Sequence, residues 1–465
     1  MFIGREKEIG TLNRHYESDN FEFITVYGRR RVGKTTLITE FCKGKKTILF
    51  PAFETNAKNN LAALSAAIFA CSNPGMKTPP SFDSFQTAFN HIAELSANER
   101  IIFVIDEFPY LAEADRSVSS VLQNTIDHKF KDTKLMLILC GSSMSFMEKQ
   151  VLGYNSPLYG RRTAQIKLLP FRYSVAAQWF PSYSPDEKVL AFAVLGGIPM
   201  YLERFSVQKN IYQNIIDSIM HTDAMLFEEP SNLLKQELRE PQTYNAIITA
   251  VATGKSKLSE ISSAVALETG SATKYIDNLI SLGIIKKEKP LLSDGNKKTI
   301  YLIADHFFRF WYKFVPQNMA AILSDNVEKS FDAAVKAHLS DFTGLAFEEI
   351  CKEFLLTRAQ NLPFVISQIG QWWGGNPITK KEAQIDIVAL SPDNTEVIFG
   401  SCKYRNETAA LSVLTELKEY AKATGVSFKK IYYYIFSKSG FSSALTEAAA
   451  SDPFIRLISL NEIYR

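Results

Sequence analysis

Residues 28–36 read Gly-Arg-Arg-Arg-Val-Gly-Lys-Thr-Thr, which satisfies the spacing G-x-x-x-x-G-K-[ST] and runs straight into LITEF, a helical segment. Gly28 and Gly33 let the backbone curl, so that the N–H groups of Arg29, Arg30, Arg31, Val32 and their neighbours turn inward onto phosphate oxygens. The start of the helix at Thr35 and Thr36 adds its positive end. In this pattern Lys34 reaches the β- and γ-phosphates of ATP and Thr35 sets its hydroxyl on Mg²⁺. Further along, Ile101-Ile102-Phe103-Val104-Ile105-Asp106-Glu107 is an apolar run ending in two acids. It would deliver Asp106 to the metal and Glu107 to an attacking water, the second half of a phosphoryl-transfer site.

Two further segments carry weaker chemistry. Leu139-Cys140-Gly141-Ser142-Ser143 ends another apolar run with small polar residues, where the Ser142 hydroxyl either orients that water or senses the γ-phosphate, or belongs to a plain Ser-rich turn. Ser156-Pro157-Leu158-Tyr159-Gly160-Arg161-Arg162 offers two guanidiniums. Either Arg161 or Arg162 can neutralise charge on a transferred phosphoryl group, in its own chain or on a neighbouring copy, which admits a homo-oligomer; a structural Arg pair is the alternative.

These residues need a rigid frame. Phe21–Gly28, Thr47–Pro51, Ile101–Asp106, Leu135–Gly141 and Ala164–Leu168 are short apolar runs separated by helical intervals, the alternation of an α/β domain whose parallel sheet is covered on both faces. The spacing predicts this core over 1–170, then an amphipathic helical appendage over 171–240 with Trp179, Phe180, Val189 and Phe192 among its apolar positions. Over 241–304 three helical stretches precede two extended pieces about Asp294-Gly295, the order of a winged helix-turn-helix. A linker is expected over 305–334 and a separate α/β unit over 335–465, with strands near Phe364–Ile369, Ile385–Leu390, Val397–Lys403 and Lys430–Phe436.

Composition excludes several classes. The chain has 465 residues, so several compact units are expected, each with its own core. A formal charge of +3, with 22% charged and 46% hydrophobic residues, is the balance of a globular protein rather than a disordered or highly basic one, and confines nucleic-acid contact to local patches. Cys42, Cys71, Cys140, Cys351 and Cys402 lie far apart, which suggests neither a zinc ribbon nor a disulfide framework. With no apolar run near the length that spans a bilayer and no apolar leader in MFIGREKEIG, the expected location is the cytoplasm, away from membranes.

In a winged helix the third helix enters the DNA major groove and the wing meets phosphate. Thr269, Ser271, Thr273, Lys274 and Asn278 would face the groove, and Lys286, Lys287, Lys289, Lys297 and Lys298 would serve the wing. A lid or protein contact is the competing role.

Taken together, Phe2-x-Gly4-Arg5-Glu6-x-Glu8, the GRRRVGKTT loop, FVIDEFPYL, CGSS, SPLYGRR and Leu195-Gly196-Gly197-Ile198-Pro199 resemble the archaeal-type P-loop ATPases of the AAA+/STAND group over about residues 1–240. The resemblance implies an ATP-dependent switch that hydrolyses ATP, with a nucleotide-gated DNA-binding regulator of negligible turnover as the alternative. It implies that the segment bearing Arg5 helps wrap the base, and that Gly197 and Pro199 face the nucleotide from a helical lid. Residues 335–465 resemble the domain of unassigned function found downstream of such ATPases, a relative of the restriction-endonuclease-like, PD-(D/E)xK, nuclease fold. That likeness rests on Phe347-Glu348-Glu349-Ile350, Ile369-Gly370-x-Trp372-Trp373, Gln384-Ile385-Asp386-Ile387-Val388-Ala389 and Phe399-Gly400-Ser401-Cys402-Lys403. It implies a metal-assisted nuclease site made of Asp386, Lys403 and Glu348 or Glu349, but Ser401 stands where the pattern has a carboxylate. An inactive nucleic-acid-binding or structural remnant is therefore weighed beside an ATP-dependent nuclease in which an adjacent carboxylate, such as Glu382, substitutes.

Overall fold

The structure, a computed structural model, describes residues 2–293, 298–324, 326–376 and 380–465. The Asp294-Gly295 turn and Lys297 lie outside the described residues. The chain divides into two compact units, Met1–Pro170 and Phe171–Arg465.

In the first unit the five apolar runs become β1 (Glu22–Tyr27), β2 (Thr47–Pro51), β3 (Ile101–Asp106), β4 (Leu135–Gly141) and β5 (Ala164–Lys167). Every residue of β1, β3 and β4 is buried, as strands covered on both faces require. The sheet is wholly parallel in the order β2-β3-β4-β1-β5. Helix α1 (Glu6–Tyr16) precedes β1, and the crossovers that parallel neighbours demand are provided by α2 (Lys34–Cys42), α3 (Ala57–Ser72), α4 (Phe85–Ser96), α5 (Phe108–Ala114) and α6 (Val118–His128). Phe89 and Ile92 of α4 and Leu122 and Ile126 of α6 pack on Phe103, Ile105, Leu137 and Leu139 in one buried cluster. Because β1, β4 and β3 lie side by side and run the same way, the residues that follow them emerge along one edge of the sheet, where ligands of open α/β sheets bind.

The second unit opens with helices, including Pro185–Leu195, Ile211–Ile219 and Glu229–Glu237. Three more, Pro241–Ala252, Leu258–Ala264 and Thr269–Ser281, precede an antiparallel pair, β6 (Ile285–Glu288) and β7 (Ile300–Ile303). A mixed sheet closes the chain in the order β12-β11-β10-β9-β8, from β8 (Gln368–Gly375), β9 (Glu382–Leu390), β10 (Glu396–Lys403), β11 (Lys430–Ser437) and β12 (Ile455–Ser459).

Two expectations are corrected. The strand expected near Phe364–Ile369 is β8 at Gln368–Gly375, because its partner β9 ends at Leu390, opposite Gln368, and residues 364–367 run past that end. The described residues of 305–334 are no loose linker. The helix His306–Phe314 buries Phe307, Phe308 and Phe310 completely and packs on Pro185–Leu195 and Pro241–Ala252. Six aromatic residues in one nine-residue helix demand burial, and the two flanking helices supply it.

Candidate functional site

The phosphate loop turns on two left-handed residues, Arg31 (φ +72°) and Gly33 (φ +88°), before α2 starts at Lys34. Gly28 is required at its position because a Cβ there would lie 2.4 Å from the Leu168 carbonyl oxygen at the end of β5. Lys34 is buried, and its ammonium donates to the carbonyls of Gly28 (3.0 Å) and Arg29 (3.2 Å). Thr35 and Thr36 open the helix on its exposed side. The Thr35 hydroxyl donates to Asp106 Oδ2 at 2.8 Å, so the end of β1 and the end of β3 meet although β4 lies between them. Hydroxyl plus carboxylate is a hard-oxygen donor pair of the kind Mg²⁺ takes alongside phosphate and water, and these residues fit that ion.

Glu107 caps α5 in the left-handed region (φ +53°), a conformation a non-glycine side chain adopts at a cost of about 1–2 kcal/mol unless its surroundings impose it. Three bonds do so. Its own N–H donates to Asp106 Oδ1 (3.0 Å), and its Oε2 accepts from the Ser142 N–H (3.1 Å) and the Ser142 hydroxyl (2.9 Å). Ser142, at the end of β4, therefore aims the carboxylate. Tyr110 on α5, a residue the motifs do not single out, accepts from Arg30 at 2.9 Å and ties the loop to that helix.

The remaining site residues of this unit are distributed differently. Arg5 is buried and donates to Val32 O (3.0 Å) and Leu169 O (2.8 Å), so it buttresses the back of the phosphate loop rather than projecting toward a base. Arg161 makes a two-pronged pair with Asp127 of α6 at 2.9 and 2.6 Å and also donates to Pro157 O at 2.9 Å. Arg162 makes one long bond to Leu152 O, at 3.5 Å, and is the less committed of the two. In the second unit, Pro199 opens the short helix Pro199–Leu202. Before it, Gly197 O accepts from Phe171 N–H at 2.7 Å, and a Cβ at Gly197 would stand 1.9 Å from Phe171 O.

In the C-terminal sheet Asp386 on β9 accepts from Cys402 N–H (2.8 Å) and, at 3.4 Å, from the Ser401 hydroxyl. Burial pushes its carboxyl up. Ser401 and Lys403, two apart on β10, share a face and line a small cleft of about 30 Å³ with Asp386, Gln384, Glu416 and Tyr420. Glu416, oriented at 2.8 Å by Tyr420, comes from a helix that strand-based motif reading does not reach.

The two helix glutamates part company. Burial and the nearby Asp386 push Glu348 up to about 8, and its Oε2 accepts from Gln371 at 2.6 Å. Glu349 would also be raised by burial, but His306 at 3.0 Å and Lys286 at 2.6 Å hold it well below the ordinary range. Glu382 begins β9, four residues and therefore ~13 Å along the strand from Asp386. Among the described residues no three His, Cys, Asp or Glu side chains converge on one metal position.

Residues 2–205 match the family described as an ATPase domain predominantly from Archaea, and residues 311–417 a family described as archaeal and bacterial proteins of unknown function. An uncharacterized protein of Methanocaldococcus jannaschii, MJECL04, is 32% identical over 444 residues, 94% of this chain and 96% of that protein. An uncharacterized ATP-binding protein of the same organism, MJ0423, is 46% identical over 46 residues, 10% of this chain and 78% of that protein. The Walker-type ATPase of Pyrococcus abyssi shares the fold, with a TM-score of 0.52 at 21% identity over 67% of this chain and 96% of that one. Among the described residues no helix is long and apolar enough to cross a membrane.

Proposed function

This chain belongs to the family of its Methanocaldococcus relative, an archaeal-type ATPase domain followed by a C-terminal domain of unknown function, and from that premise we propose that it is an ATP-hydrolysing switch whose output is the C-terminal domain. The observation that carries the reading is the junction of Thr35 with Asp106 at 2.8 Å beside a Glu107 held by Ser142. The loop N–H groups and Lys34 bind the phosphates, and Thr35 and Asp106 hold Mg²⁺, which supplies charge neutralisation when bound. Glu107, pinned at Oε2, offers Oε1 as the acceptor for a proton from water. Arg162 is the candidate for sensing charge on the phosphates, and Gly197 and Pro199 for passing nucleotide state to the rest of the second unit.

The test pairs two substitutions. Lys34→Ala should lose nucleotide affinity and phosphate release together, whereas Glu107→Gln should still bind ATP while turnover falls by ~10²-fold or more. Ordinary turnover in Lys34→Ala would end the assignment.

A second reading concerns what the switch drives. Lys403, Ser401, Gln384 and Tyr420 offer donors to a phosphodiester backbone beside the Asp386 and Glu416 carboxylates of the same cleft, and the missing carboxylate at 401 argues that the cleft binds nucleic acid without cutting it. Incubation of plasmid, linear and single-stranded DNA with Mg²⁺ or Mn²⁺, with and without ATP, decides the point. Cutting that disappears in both Asp386→Ala and Lys403→Ala would make the protein an ATP-dependent nuclease instead.

A further inference from the structure

The wing of the 241–304 unit is seated on the C-terminal sheet. Leu291 N–H donates to Gln371 O at 2.8 Å, adding one bond to the edge strand β8. Leu291 and Leu292 pack against the cluster that contains Trp372, Ile385 and Leu417, and Ile385 and Leu417 also line the Asp386 cleft. A Cβ at Gly370 would stand 3.0 Å from Leu291 Cγ, and one at Gly374 3.2 Å from Lys298 Nζ, so both arms of the wing lie against β8 where it has glycine. Leu292 is held with φ +61°, a conformation that persists only where the surroundings impose it.

The same contacts reach the two adjacent glutamates of the helix Leu339–Thr357. Lys286 of β6 binds Glu349 directly at 2.6 Å. Gln371, whose carbonyl receives Leu291, donates its side chain to Glu348 at 2.6 Å. Lys286 is also paired with Glu288 at 2.7 Å, so this wing cation is spent on the protein itself.

We propose that the wing is an internal latch on the C-terminal domain: seated on β8 it closes the nucleic-acid face, and its release opens that face and frees Gln371 from Glu348. This rests on the reading of the Asp386 cleft as a nucleic-acid seat. Phosphates are the natural competitors, since they offer Lys286 an anion in place of Glu349 and Glu288.

Gly370 allows the latch to be driven both ways in the full chain. Gly370→Leu should wedge Leu291 off β8, and the pair Leu291→Cys with Gly370→Cys should lock it there as a disulfide opened by reductant. The readouts are amide exchange over 285–293 and 370–372 and the affinity for labelled single- and double-stranded DNA. If the latch is closed about nine-tenths of the time, the wedge should speed exchange and tighten binding roughly tenfold. The lock should bind less than wild type until reduced, which also shows that it folded. Equal affinity in wedge, lock and wild type would overturn the latch and leave the cleft reading standing. Absence of binding in all three, with exchange raised in the wedge, would overturn both.

Discussion

At the scale of single residues, the nucleotide site is an exercise in holding a carboxylate still. Glu107 sits in a left-handed backbone conformation and receives two donors from Ser142 on one oxygen. Ser142→Ala removes the hydroxyl donor and leaves the backbone one, a loss of about 1–1.5 kcal/mol of positioning, or roughly tenfold. The expected result is a tenfold lower kcat with an unchanged KM for ATP, and near-complete rescue in Ser142→Thr. A change in KM alone in steady-state kinetics would show that Ser142 contacts nucleotide instead of Glu107. Arg161 and Arg162, indistinguishable as neighbours in the chain, differ in what already holds them.

At the scale of elements, close approaches of backbone decide where side chains are forbidden. Gly28→Ala would press a methyl group into Leu168 O, and Gly197→Ala into Phe171 O, and neither carbonyl can retreat without breaking its strand or turn. Each should destabilise by about 2–4 kcal/mol, and Gly28→Ala should also lose nucleotide. Gly270 makes the contrast. A methyl group there meets nothing within 4 Å, and the residue lies in the helix Thr269–Ser281. Gly270→Ala should therefore stabilise by about 0.4–1 kcal/mol. Denaturant midpoints measured side by side check all three, and a loss at 270 or neutrality at 28 would contradict the packing argument.

At the scale of the molecule, the second unit is knit together by groups from far apart in the chain. Tyr404 donates to Asp186 at 2.5 Å, where Lys438 also binds at 3.0 Å, and Tyr173 donates to Ile463 O at 3.0 Å. Glu353 accepts from Tyr173 N–H at 3.1 Å, and burial pushes its carboxyl up to about 7, against the pull of Arg172. A carboxyl raised on folding binds more protons in the folded chain. Stability is therefore lost as pH climbs from its ordinary value of 4.5 toward 7. The depressed Glu349 acts in the opposite sense, losing its contribution only at acid pH below the ordinary carboxylate range, so the two windows do not overlap. Glu353→Gln keeps the acceptor for Tyr173 and cannot ionise. Its melting temperature should decline less than that of wild type between about pH 5 and pH 8, the remaining decline being carried by the raised Glu348 and Asp386, and parallel curves would show that Glu353 ionises freely.

What the sequence by itself determined is what is local. The phosphate loop is nine contiguous residues whose types and order carry their own geometry, and the central strands β1, β3 and β4 announce themselves because a fully buried parallel strand has to be largely apolar. Asp106 and Glu107 follow, since a buried strand ending in acids delivers them to one edge. Only the tertiary structure decided which distant residues meet. Strand order, which sets β4 between β1 and β3, made Ser142 the partner of Glu107. Packing turned the helix His306–Phe314 from a connector into core and gave Glu348 and Glu349, neighbours of one type, opposite electrostatic surroundings. It likewise spent Lys286 on a buried glutamate, where a lysine in a wing reads as a cation for DNA. Residue type and period specify a side chain's face and chemistry. The partner across that face belongs to another part of the chain, and only the folded packing selects it.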